Sequence, residues 1–140
     1  MEIPFNIPLV LGTEKSAISK VFATGNFSGN GDLGKKCQAE LERLFGYRKV
    51  LLTASCTSAL EFTALLLNIG VGDEVIVPSY AFVTTANAFA NRGARLVFAD
   101  SRQDHPSIDE AKVEELITTR TKAIVALHYG GVACEMDTLK

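Results

Sequence analysis

The chain has 140 residues and a mass of 15.1 kDa, is 47% hydrophobic and 21% charged, and carries a formal net charge of -2. That apolar content excludes a disordered chain, the size fits one domain, and the near-balanced charge leaves no electrostatic footprint for nucleic acid. No run reaches the ~18 uninterrupted apolar residues of a membrane helix, and the amino terminus lacks a basic leader with a long apolar core, so a cytoplasmic protein without membrane insertion is expected.

Residues 1–31 hold too little periodic apolar sequence to pack on themselves and read as a loop-rich arm, ending in a glycine-rich loop, that lies across another surface. GNGDLGKK, residues 29–36, satisfies G-x-G-x-x-G through Gly29, Gly31 and Gly34 and comes close to the P-loop pattern. The P-loop match fails at Lys36, where a hydroxyl must reach magnesium, and both matches fail because ATGNFS ahead of the glycines is no strand. A flexible loop touching a substrate or partner is the better reading.

From residue 32 to 140 the pattern is that of an α/β domain. DLGKKCQAELERLFG predicts an amphipathic helix with Cys37, Leu41, Leu44 and Phe45 on one side, Asp32 at its start and Gly46 as its stop. Four short apolar runs follow, KVLLTA, DEVIVPSY, ARLVFAD and KAIVALHY, separated by helical spacings such as Leu60, Ala64, Leu67 and Val113, Leu116, Ile117. Strands that are apolar throughout rather than alternating are buried on both faces. The prediction is a partial parallel sheet with flanking helices and right-handed crossovers. After the fourth run, GGVACEMDTLK starts a helix near Asp137 and Thr138 that ends after about a turn, well under the ~12 residues of a marginal isolated helix, so the expectation is the front portion of something longer.

The chemistry concentrates where the first strand, 50–53, meets its helix. Ser55 is a good N-cap, and Cys56, Thr57 and Ser58 fill the first turn with small side chains, so backbone N–H groups without intrahelical partners point outward. The helix dipole supplies only ~0.3–1 kcal/mol to an anion there. Each hydrogen bond to a charged oxygen supplies roughly 1.5–3 kcal/mol, so two or three amides plus the Thr57 hydroxyl would do most of the anchoring. The alternative is that Ser55 only caps the helix and the small residues only permit close packing. Position favours a ligand, because ligands of open α/β sheets sit at the carboxyl ends of strands.

At the end of the next strand, VPSYAFVTTANAF places Pro78 as its stop, Ser79 as a possible cap, and Tyr80 and Phe82 on the same edge. Phe82 is either a stacking surface for a flat ligand ring or an ordinary core residue. Asp100 and His128 end the third and fourth strands without basic partners or metal-ligand spacing. Cys37, Cys56 and Cys134 are odd in number and widely spaced, which argues against a disulfide framework and a zinc site, and no metal site is expected.

In order along the chain, IPFNIPLVLGTE, LLTASCTSALE, GDEVIVPSYAFVTTANAF, GARLVFAD and HYGGVACEMD resemble the DegT/DnrJ/EryC1/StrS sugar aminotransferases over essentially the whole sequence. The resemblance implies the amino-terminal portion of the aspartate aminotransferase fold and pyridoxal 5'-phosphate as cofactor. It implies that Ser55, Cys56 and Thr57 hold the cofactor phosphate and that Phe82 stacks on the pyridine ring. It further implies a homodimer that builds each active site from two subunits, a nucleotide-sugar substrate and an amino-acid amino donor. SCT in place of the commoner Gly-Thr pair is similar to members that move an amino group, from glutamate, onto C4 of a TDP-linked 4-keto-6-deoxy sugar for enterobacterial common antigen, a cell-surface polysaccharide. In the family, the lysine that carries the cofactor and the acid that pairs with its ring nitrogen match no position in these 140 residues. No catalytic residue is therefore assigned, and Lys112, Lys122 and Lys140 fall in no matching motif. The alternatives are a sugar dehydratase of the same family and a truncated, non-catalytic α/β module.

Overall fold

The computed structural model describes residues 3, 4 and 6–140; of the predicted arm, Met1, Glu2 and Phe5 lie outside the described residues. The chain divides into two compact units, 1–52 and 53–140.

The first unit contains α1 (Glu14–Thr24) and α2 (Asp32–Phe45). The helix α1 corrects the loop-rich reading of the arm. Its start is held by the Leu11 N–H, which donates to the Glu14 carboxylate at 2.9 Å, and its end is closed by Gly25 at φ 66°, whose N–H donates to the Phe22 carbonyl. Ala17, Ile18, Val21 and Phe22 supply a short apolar stripe whose helical period is easily missed in so short a segment. The prediction for α2 holds, with Asp32 in its first turn and Gly46 at φ 67° past its end.

KVLLTA forms no strand. Leu51 and Leu52 are 64% and 47% exposed, and the Val50 N–H donates to the Glu42 carboxylate at 2.9 Å. An apolar run becomes a strand only when a neighbour accepts its backbone groups, and none of the described strands does so.

In the second unit, α3 (Cys56–Leu66), β1 (Glu74–Pro78), α4 (Val83–Ala90), β2 (Arg95–Ala99), α5 (Glu110–Leu116), β3 (Thr121–Ile124) and α6 (Met136–Leu139) follow in order. The three strands form a parallel sheet in the order β2-β1-β3. The chain moves from β1 outward to β2, then back across β1 to β3. Two crossovers of the same hand that travel in opposite directions must pass over opposite faces. The core shows this: Val75 and Val77 pack with Ala64, Ala88 and Phe89 of α3 and α4, whereas Ile76 packs with Val113 of α5 and with Ile108 and Cys134. Burial of all five β1 residues explains why that strand is apolar on both faces.

Glu74 opens β1 at the amino edge of the sheet and is 1% exposed. Its carboxylate accepts from Thr118 Oγ1 at 2.7 Å, from Arg120 at 2.7 and 3.0 Å, and from Arg95 at 3.0 Å. One carboxylate thereby ties the starts of all three strands. On the opposite flank, Glu110 accepts from the Glu135 N–H at 2.8 Å and pairs with Arg102 at 3.3 Å, which clips the carboxyl-terminal segment to α5.

Candidate functional site

Ser55 has extended backbone, φ -158° and ψ 164°, and its hydroxyl oxygen accepts from the Ser58 N–H at 3.1 Å. The Thr53 hydroxyl donates to the Ser55 carbonyl at 2.8 Å, which fixes the entry to α3. Ser55 is thus a working helix cap, and the Ser58 amide is used internally. The Cys56 and Thr57 amides keep no intrahelical acceptor.

α3 leads through the turn at Gly70–Asp73, where the Gly70 N–H donates to Asp73 at 3.0 Å, into the start of β1. Its first turn therefore lies at the carboxyl edge of the sheet. The Thr57 hydroxyl donates to Thr84 Oγ1 at 3.2 Å, which joins the first turns of α3 and α4. Thr84 joins the candidate set through this bond, and the sequence reading passed over it; the signal available was the Thr84-Thr85 pair in the first turn after a strand end.

Phe82 is the N-cap residue of α4, and its carbonyl accepts from the Thr85 N–H at 2.9 Å. Its ring is 73% exposed, which rules out the core reading. Thr84 lies two positions further along, so the Thr57–Thr84 bond brings the uncapped amides and an exposed aromatic to one edge. Cys56 is likewise exposed.

His128 and Asp100 do other work. The Cys134 N–H donates to His128 Nδ1 at 3.1 Å, and the Cys134 thiol donates to the Leu127 carbonyl at 3.3 Å, so the imidazole organises the loop after β3. Asp100 lies 3.7 Å from Lys112, which also pairs with Asp109 at 3.5 Å. Among the described residues, no three His, Cys, Asp or Glu side chains converge on a position that could hold a metal ion. None of the described helices is long and apolar enough to cross a membrane.

This donor set suits one kind of ligand. Two free amides and a pair of hydroxyls at a helix start fit a phosphate group, and the exposed phenyl ring beside them fits a flat aromatic ring.

A model of the DegT/DnrJ/EryC1/StrS aminotransferase family matches residues 11–140. Spr1654 of Streptococcus pneumoniae, assigned as a sugar aminotransferase and solved in its PLP form, is 29% identical over 99% of this chain and 35% of its own, with a TM-score of 0.87. The aminotransferase TlmJ of Streptoalloteichus hindustanus is 39% identical over 88% of this chain and 34% of its own, at 0.80. A 3-amino-5-hydroxybenzoic acid synthase is 28% identical over 99% of this chain and 36% of its own, at 0.89. The chain spans about a third of the length of these solved relatives and matches the amino-terminal part of their fold.

Proposed function

Because the chain belongs to the DegT/DnrJ/EryC1/StrS aminotransferase family, we propose that it supplies the cofactor-phosphate side of a pyridoxal phosphate aminotransferase. The observation that carries this reading is the Thr57–Thr84 bond, which sets two free amides, two hydroxyls and the Phe82 ring on one edge.

The residues have distinct tasks in this reading. The Cys56 and Thr57 amides bind the phosphate oxygens, and Ser55 keeps them aimed by capping the turn behind them. The Thr57 hydroxyl swings its proton from Thr84 to the phosphate, and Thr84 then donates to Thr57 Oγ1 in its place, so no hydroxyl is left unpaired. Phe82 covers one face of the pyridine ring and excludes water from it. Pyridoxal phosphate, when bound, supplies an electron sink for charge developing on the carbon next to its nitrogen. No proton-carrying residue is assigned within these 140 residues, since Lys112, Lys122 and Lys140 fall in no matching motif.

The acceptor in this reading is a TDP-linked 4-keto-6-deoxy sugar, the donor is glutamate, the enzyme works in the cytoplasm, and its product goes on to cell-surface polysaccharide. SCT at 55–57 and the order of family motifs support it. A homodimer fits Phe62, Leu65 and Leu66, exposed along α3 at 53%, 51% and 76%. The test is to give the intact enzyme carrying this chain pyridoxal phosphate, glutamate and TDP-4-keto-6-deoxy-D-glucose. The aminated sugar nucleotide by mass spectrometry is the expected product. Unreacted keto sugar overturns the reading, and loss of a sugar hydroxyl without amination identifies a dehydratase.

A further inference from the structure

Beyond Phe82, two more aromatic side chains stand at the carboxyl edge of the sheet. Tyr80 follows β1 and Tyr129 follows β3, the strand beside it. Their ring centroids are 4.9 Å apart with planes tilted by 58°, and they remain 53% and 39% exposed.

Both are held by backbone rather than left to drift. The Ser79 N–H donates to the Ala99 carbonyl at 2.8 Å, which pins the residue before Tyr80 to the end of β2. The Tyr129 N–H donates to Leu127 at 2.9 Å, and the tight turn over Tyr129–Gly131 is closed by Gly131 donating to His128 at 3.1 Å. Gly130 and Gly131 sit at φ 62° and 85°, conformations that admit this turn at little cost only without a side chain. A paired, exposed and backbone-fixed set of aromatics is prepared for contact, since little side-chain freedom remains to be lost on binding.

The tilt selects the ligand. A flat ring meets only one of two faces inclined at 58°, whereas a puckered saturated ring presents C–H groups to one face and hydroxyls to a neighbouring phenol. The Tyr80 phenol beside it pushes the Tyr129 phenol above its ordinary value, which keeps the Tyr129 hydroxyl protonated and able to donate near neutral pH.

We propose that Tyr80 and Tyr129 form a binding platform for the sugar ring of the amino-group acceptor. The proposal rests on the sugar aminotransferase reading and extends it to the substrate side of the same edge. Neither residue is assigned a part in proton transfer.

The test is calorimetric titration of the intact enzyme carrying this chain with pyridoxal phosphate, then with TDP-4-keto-6-deoxy-D-glucose and with TDP alone. Wild type is expected to bind both cofactor and sugar nucleotide. Tyr80→Leu and Tyr129→Leu should each weaken the sugar nucleotide about tenfold while leaving TDP and pyridoxal phosphate unchanged, and Tyr80→Phe, which keeps the ring face and loses the phenol donor, should lie between wild type and Tyr80→Leu. Circular dichroism confirms that each variant is folded. If wild type binds cofactor but no sugar nucleotide, or the leucine variants bind it as wild type does, or they weaken TDP equally, the platform is wrong. If wild type binds no pyridoxal phosphate, the aminotransferase reading fails and takes the platform with it.

Discussion

The Thr57 hydroxyl donates to the Thr84 hydroxyl across 3.2 Å, and this bond couples the first turns of two helices that are separate in sequence. In the proposed reading Thr57 is aimed at the anion and Thr84 is its support, so the two substitutions should differ. Thr84→Val leaves Thr57 able to donate and should weaken pyridoxal phosphate binding only about twofold to threefold. Thr57→Val removes a hydrogen bond to a charged oxygen and should weaken it about tenfold or more. Equal losses in absorbance titrations would mean that the threonines act only by joining the helices.

Ser55 separates capping from binding. Ser55→Ala removes the bond to the Ser58 amide and should cost about 1 kcal/mol, a fall of about 3–5 °C in Tm by thermal denaturation. Ser55→Asp keeps a capping oxygen but sets a negative charge beside the free amides. It should retain the wild-type Tm while weakening phosphate binding.

Glu74 sets the acid limit of the sheet. Hydrogen bonds from Thr118 and Arg120 hold its carboxyl below the ordinary value of 4.5. A group depressed in the folded state contributes stability above its unfolded value and loses it as pH falls through the folded value. Tm should therefore drop as the pH is taken below about 4.5. Glu74→Gln should have a lower Tm at pH 7 and a flatter acid limb; an unchanged limb would mean that other carboxylates govern acid unfolding.

Gly93 closes α4 through its N–H to the Ala90 carbonyl at 2.8 Å with φ 89°. A methyl group there would lie 2.7 Å from Val71 Cγ2. Val71 is 92% exposed and can rotate away, so the backbone strain decides the outcome. Gly93→Ala should cost about 1–2 kcal/mol in urea denaturation.

Legibility in the sequence followed the range of each interaction. β1 was readable because burial on both faces leaves a continuous apolar run, β2 and β3 because their short apolar runs are set between helical segments, and the Ser55 cap because its partner is three residues away. The segment 50–53 carries the same local signal as those strands yet forms none, since pairing depends on a neighbour that local pattern does not encode. α1 was hidden by a stripe only four residues strong. In the candidate set, Ser55, Cys56 and Thr57 were proposed from the start of a helix and Phe82 from the end of β1. Thr84 was not, because its part depends on a contact across 27 positions. Tyr129 was not either, because its exposure follows from two glycine conformations after β3.

Anchoring of a cofactor phosphate by the first turn of α3 is measured directly by comparing dissociation constants for pyridoxal phosphate and for pyridoxal, which lacks the phosphate. Wild type should bind pyridoxal phosphate about tenfold to a hundredfold more tightly, and Thr57→Val should remove most of that difference. Equal affinity for the two compounds, or a difference that survives Thr57→Val intact, would contradict the account.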